Sequence, residues 1–231
     1  MDAVYSDSCH SREGGNAVAG WDGIHDGPTN MERDIALLSY VRPGSVAWRV
    51  YGWVGPWVSL GASQKPERAL LPGCEVPWVM RPTGGKAVLH GHDLTVGLCI
   101  SLVDIGLHPY SRDVEAAFLA AVGFLRDALR SCGVWCDFSD GGRIRNHATT
   151  DCFAYASPND LVDSKGIKVC GCAQKLTDEA VLIQASIPCR APLVDPSQTY
   201  ERPGKVNWID LDAERLSVAL RESTRNVSPG K

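Results

Sequence analysis

The sequence predicts a single domain that mixes β-strands with a few amphipathic helices. The chain has 231 residues, 44% of them hydrophobic and 22% charged, enough to bury a sizeable core. Short β-rich runs are punctuated by Gly and Pro. One long stretch, Arg112 to Arg130, is amphipathic and Ala/Leu-rich, and Gly133 stops it.

In chain order, residues 1 to about 27 are rich in Gly, Ser, Asp and His and lack an apolar period, so they read as a mobile leader ahead of a domain over 28–231. Asn30 to Tyr40 has apolar residues at helical spacing, with Thr29 or Asn30 as N-cap and acidic residues in the opening turns. Ser45 to Trp53 and Trp57 to Leu60 read as strands, and the stretch from Gln64 to Gly73 has room for a short helix. Val76 to Met80 and Leu94 to Leu102 are further strand-like runs. Between them lies Arg81-Pro-Thr-Gly-Gly-Lys-Ala-Val-Leu-His90, whose paired glycines either make a plain turn or let backbone amides approach a ligand closely. Val134 to Phe138 begins a strand that gives way to a polar loop reaching Asp151. Ser164-Lys-Gly166 reads as a hairpin turn, which brings Asp160 and Lys168 near one another across two paired strands. A strand over Ala180 to Ile187 and a helix from about Asp210 to Thr224 complete the chain.

The formal net charge of −4 comes with no basic stripe to neutralise phosphates, so nucleic-acid binding is not expected. No run approaches the length needed to span a bilayer, and the first ten residues have neither a basic start nor an apolar stretch; a cytoplasmic protein without a membrane partner is the expectation. Nine cysteines scattered from Cys9 to Cys189 fit a reducing compartment with several thiols buried as small hydrophobes. Cys132 and Cys136, and Cys170 and Cys172, have no matching partner pair or histidine at ligand spacing, so no metal is expected; the second pair places both sulfurs on one face of a strand.

Four sets of residues could carry chemistry. Cys152 follows a polar segment and is either an accessible thiol or a half-buried cysteine beside Phe153. Lys168, flanked by Ile167 and Val169, either snorkels at a sheet edge or turns inward to an acyl carbonyl, carboxylate or phosphate. His90 and His92 straddle Gly91 and precede Asp93, as ligands or as hydrogen-bonded structural residues. Arg81 is a bidentate head-group ligand or a surface strand residue.

Taken together, these runs resemble the lipoate/octanoate branch of the biotin and lipoate protein ligase superfamily. The resemblance is carried by Asn30-Met, by Arg49-Val-Tyr-Gly-Trp53 with Ser59-Leu-Gly61 and Gln64, and by Arg81 to His90 with Asp93-Leu-Thr95. It continues through Cys152-Phe153, Asn159-Asp-Leu-Val162, Gly166 to Gln174 and Gln184-Ala-Ser-Ile187. It implies an α+β fold, a single domain with a central mixed β-sheet flanked by helices, in which a medium-chain acyl group lies in a tunnel beneath the Gly-Gly loop. The chain looks lipoate-protein ligase A-like and closest to the cysteine-dependent octanoyltransferases, with Cys152 at the nucleophile position and Lys168 matching the lysine that holds the acyl carbonyl. By the same resemblance Arg81, Thr83, Gly84, Gly85, Ala87, His90, Asp160, Gly171 and Ala173 would contact substrate.

The implied reaction moves an octanoyl group from acyl carrier protein, or another acyl donor, to a lysine of a lipoyl domain or a glycine-cleavage H-like protein, with no cofactor. An ATP-dependent lipoate or octanoate ligase, using ATP and Mg, is the alternative, and an acyl-binding protein without turnover a third. Lys86 stands where many ligases carry a third glycine, Cys172 replaces a serine, and Gln184-Ala-Ser-Ile187 lacks a histidine often seen there. The chain ends soon after the large domain, so the accessory domain of many bacterial lipoate ligases is expected to be absent. Because both protein partners are acidic, Lys165, Lys175, Arg143 and Arg145 are candidates for a basic rim at the tunnel mouth.

Overall fold

A computed structural model describes residues 19–141 and 149–227. Strand β1 (Ala19–His25) pairs in parallel with β2 (Val46–Trp53), so the expected leader is corrected over these residues: they are an edge of the main sheet. Glycines at 20 and 23 hide the strand alternation. Helix α1 (Gly27–Tyr40) also starts earlier than the sequence suggests. Asp26 is its N-cap, accepting from the Thr29 amide at 2.9 Å, and a proline sits in the first turn.

The chain continues through β3 (Trp57–Leu60), α2 (Pro66–Ala69), β4 (Trp78–Met80), β5 (Val88–His90) and β6 (Asp93–Ser101). The Gly-Gly loop therefore leads into β5, a short strand missing from the sequence reading, rather than directly into the run at 94–102. Strands β4 and β5 flank β3 in a separate three-stranded sheet, parallel to it and antiparallel to it respectively. After α3 (Val114–Ser131) come β7 (Asp137–Phe138), β8 (Leu161–Val162), β9 (Lys168–Leu176), β10 (Ala180–Pro188) and α4 (Ala213–Ser223). The expected strand over 134–138 shrinks to its last two residues, with Trp135 left exposed. The main sheet is mixed and has the order β1-β2-β6-β10-β9-β8-β7. No helix among the described residues is long and apolar enough to cross a membrane.

Strand periodicity gives this sheet two unlike faces. Trp48, Val50, Val96, Leu98, Ile183, Ala185 and Cys170 face α3 and α4 in the largest hydrophobic cluster. On the other face Arg49, Tyr51, Gly97 and Gln184 meet α1 through buried polar contacts. Arg49 donates to Asp34 at 2.7 Å, to Asp22 at 2.7 Å and to Asn30, while Tyr51 and Gln184 both donate to Asp34. Burial raises the Asp34 pKa despite the Arg49 charge beside it.

Gly97 makes the convergence possible. A Cβ there would lie 2.5 Å from Asp34 Oδ1 and 3.1 Å from Leu37 Cδ1. Gly97→Ala is expected to destabilise the fold by about 1–3 kcal/mol, through displacement of α1 from the sheet. Urea denaturation checks this, and an unchanged midpoint would show that α1 can shift freely.

Candidate active site

Asp151 accepts hydrogen bonds from the Phe153 and Gly204 amides at 2.9 and 2.7 Å, which fixes the start of a 3₁₀ turn over Cys152–Ala154. Burial raises the Asp151 pKa against these two bonds. The turn is docked onto the Gly-Gly loop because the Cys152 amide donates to the Ala87 carbonyl and the Ala87 amide to Thr150. Cys152 is half-buried, and its sulfur lies over Gly171 of β9, 3.4 Å from where a Cβ would stand. Glycine at 171 thus leaves the room that the thiol occupies.

The predicted hairpin forms: β8 and β9 pair antiparallel around Ser164–Gly166, and Lys168 Nζ lies 2.9 Å from Asp160 Oδ2. Of its two readings, Lys168 takes the inward one, with 8% of its surface exposed. Its other donors reach the Cys152 carbonyl at 3.0 Å and the Cys152 sulfur at 3.3 Å. Burial acts to lower the Lys168 pKa, but a negative charge on Cys152 together with Asp160 outweighs it and holds the ammonium above the ordinary lysine value.

Arg81 is buried, which removes the surface-strand alternative, and it lines the cavity described below while bound into the loop itself. Its guanidinium donates to Thr83 Oγ1 (3.1 Å), Ser59 O (2.9 Å) and Oγ (3.4 Å), Lys86 O (2.7 Å) and Gly84 O. Its N–H groups are thereby engaged with protein, so Arg81 shapes the loop. Gly85, exposed with φ +87°, supplies the left-handed turn that the loop requires. Thr83 passes the network on, donating to Gln184 Oε1 at 2.7 Å and so joining the loop to the Asp34 cluster. Lys86 donates to the Thr149 carbonyl at 2.7 Å and lies over the Tyr155 ring.

Between the loop, β5 and the main sheet lies a partly open cavity. Cys152, Gly85, Gly171 and Ala173 line one end and Met31, Tyr51 and Trp53 the other. Polar side chains along it are turned outward into a buried shell centred on Asp93, which accepts from Ser186 Oγ (2.6 Å), Thr95 Oγ1 (3.0 Å) and the Gly91 amide, and bonds His90 Nδ1 (2.7 Å). His90 Nε2 bonds Ser59 Oγ at 2.8 Å. Burial opposes the Asp93 charge, but His90 and the hydroxyl donors prevail and hold its carboxyl well below the usual range. The cavity surface left over is mainly apolar.

His90 is therefore a hydrogen-bonded wall residue, whereas neither ring nitrogen of buried His92 has a partner among the described residues. Among the described residues no group of three or more His, Cys, Asp and Glu is arranged to hold a metal. Cys170 and Cys172 sulfurs do share one strand face, 3.5 Å apart. Of the basic-rim candidates, Lys165 and Lys175 are exposed, while Arg143 and Arg145 lie outside the described residues. Sequence reasoning missed Asp151, Thr83's link to Gln184, and the Ser59–His90–Asp93 chain; Asp151, directly before the cysteine, was the one with a readable capping signal.

A half-buried thiol beside a buried ammonium, at the mouth of an apolar slot roofed by glycines, is an arrangement suited to nucleophilic chemistry. The chain belongs to the lipoyl protein ligase A/B catalytic domain family, whose model matches residues 26–208. An octanoyltransferase LipM from Exiguobacterium sp. is 33% identical over 172 residues, covering 69% of this chain and 60% of the relative. Another from Anoxybacillus flavithermus is 30% identical, covering 68% and 60%. The chain thus spans about 60% of the length of these curated relatives. In fold it resembles a T. acidophilum protein assigned as a lipoate protein ligase, solved with bound lipoic acid (TM-score 0.67, 18% identity, 91% of this chain and 86% of that one). A lipoate-protein ligase A bound with ATP is similar too (TM-score 0.64, 18% identity, 91% and 85%).

Proposed function

We propose that the protein is an octanoyltransferase of protein lipoylation, working through an acyl-cysteine at Cys152. The observation that carries this reading is the 3.3 Å separation between Lys168 Nζ and Cys152 Sγ at the mouth of the apolar slot. The octanoyltransferase relatives support it in kind.

The donor is an octanoyl thioester, with acyl carrier protein as its carrier. Cys152 Sγ, as thiolate, forms a bond to the thioester carbonyl carbon, and the carbonyl π electrons move to oxygen. Lys168, held in place by Asp160 and the Cys152 carbonyl, turns its remaining N–H toward that oxyanion. Collapse breaks the bond to the donor sulfur, which leaves as a thiol after taking up a proton. An acceptor lysine amine, on a lipoyl domain or a glycine-cleavage H-like protein, then attacks the acyl-cysteine. The new C–N bond replaces the C–Sγ bond, and the proton lost from the amine balances the thiol regenerated on Cys152. A thioester is already activated, so this route needs no nucleotide. An ATP-dependent ligase reading would ask Arg81 and the loop to seat phosphates, and it is weakened by the full engagement of Arg81.

Incubation with octanoyl-carrier protein, without ATP, is expected to add one octanoyl mass to the protein, mapped by digestion to Cys152, and a lipoyl domain should then discharge it. Pyrophosphate release that depends on free octanoate, with no adduct from the thioester, would favour the ligase.

A further inference from the structure

Strand register fixes how far the slot runs. Gly171 in β9 pairs with Ser186 in β10, Ser186 with Thr95 in β6, and Thr95 with Tyr51 in β2. These four residues form one row across the sheet, starting beneath the Cys152 sulfur and ending at an aromatic ring. Their side chains grow along it: none at Gly171, short hydroxyls at Ser186 and Thr95 drawn away to Asp93, then the phenol of Tyr51. The roof runs alongside in β5. Val88 follows Ala87, which bridges to Asp151 beside the thiol, and His90 stacks on Trp53 with ring centroids 3.9 Å apart.

We propose that this row is a ruler for the acyl chain and that Met31 is the stop which sets its length at eight carbons. The proposal rests on the acyl-cysteine reading above. Adjacent strands lie about 4.8 Å apart, so the two steps from β9 to β6 span about 10 Å. An extended alkyl chain advances roughly 1.3 Å per carbon, so the carbons of an octanoyl group cover about 9 Å. Its carbonyl sits over Gly171 and its terminal methyl over Thr95, against the wall made by Tyr51, Trp53 and Met31.

The three wall residues differ in how they are held. Tyr51 donates to Asp34 at 2.7 Å, and Trp53 donates to Thr95 at 2.8 Å besides stacking on His90. Met31 projects from α1, is buried, and among the described residues its side chain has one polar contact, from Gln184 Nε2 to its sulfur at 3.4 Å. Shortening it lengthens the slot without breaking the buried hydrogen bonds that pin the two rings. A thioether is also the most deformable of the three groups.

The test compares acyl transfer to Cys152 from octanoyl- and dodecanoyl-carrier protein, mixed in equal amounts and read by intact mass. Wild type is expected to take the octanoyl group, and Met31→Ala to raise the dodecanoyl-to-octanoyl ratio at least tenfold. Met31→Val should give a smaller rise and keeps the test open if the alanine variant does not fold, which thermal denaturation reports. Variants that fold, accept octanoyl and keep the wild-type ratio overturn the ruler while leaving the transferase reading intact. A wild-type protein that takes no acyl group of either length on Cys152 overturns both.

Discussion

Cys152→Ser is expected to abolish acylation by octanoyl thioester and to lower transfer to a lipoyl domain by on the order of 10³-fold or more, with little change in stability. A serine hydroxyl fits the space over Gly171 and can still accept from Lys168, so the fold around it is preserved. What is lost is the sulfur nucleophile that the acyl group would be transferred to. The thiols of Cys99, Cys136 and Cys189 do not substitute: burial pushes those of Cys136 and Cys189 up to about 11 and that of Cys99 up to about 12, and all three are outside the slot. Intact mass after exposure to octanoyl-carrier protein, together with gel-shift of a lipoyl domain, decides the matter. Undiminished transfer by the serine variant would sink the covalent route.

Lys168→Met is expected to reduce acylation by about 10²–10³-fold and also to cost about 3–5 kcal/mol of stability, since it leaves Asp160 buried and without its cation. The two effects separate with pH. Because the folded-state pKa of Lys168 is raised, its stabilising contribution is fully present below the ordinary lysine value of about 10.4 and is lost only as pH rises through the higher folded value. The stability gap between wild type and variant should therefore stay flat from pH 7 to 9. Denaturation midpoints across that range, beside single-turnover acylation rates, provide the check. A gap that closes by pH 9 would mean that the ammonium is not held as the geometry requires.

Legibility in the sequence followed the range over which each interaction acts. The Asp160–Lys168 pair was readable because one hairpin turn and one strand period suffice to place it. Helices α3 and α4 were readable for the same local reason. Cys152 could not be placed near Lys168 from spacing; motif order, matched to the family, supplied that expectation. The task of Arg81 was hidden because its acceptors are carbonyls of Ser59, Gly84 and Lys86, and a backbone oxygen has no residue type to recognise. Strand β5 escaped notice because three buried residues between a glycine loop and a His-Gly-His turn are too short for alternation to register. Strand β1 escaped because its pairing partner, β2, lies beyond a helix.

The backbones of Gly61 and Gly85 touch so closely that a Cβ on Gly61 would overlap the Gly85 carbonyl. Arg81 further fastens the same loop to Ser59 in β3. The ceiling is consequently fastened to the three-stranded sheet at both points. On the proposed acyl-cysteine route a fatty chain would thread in tail first past the sulfur, and its reactive end would come to rest beside Cys152 only when the tail had met the far wall.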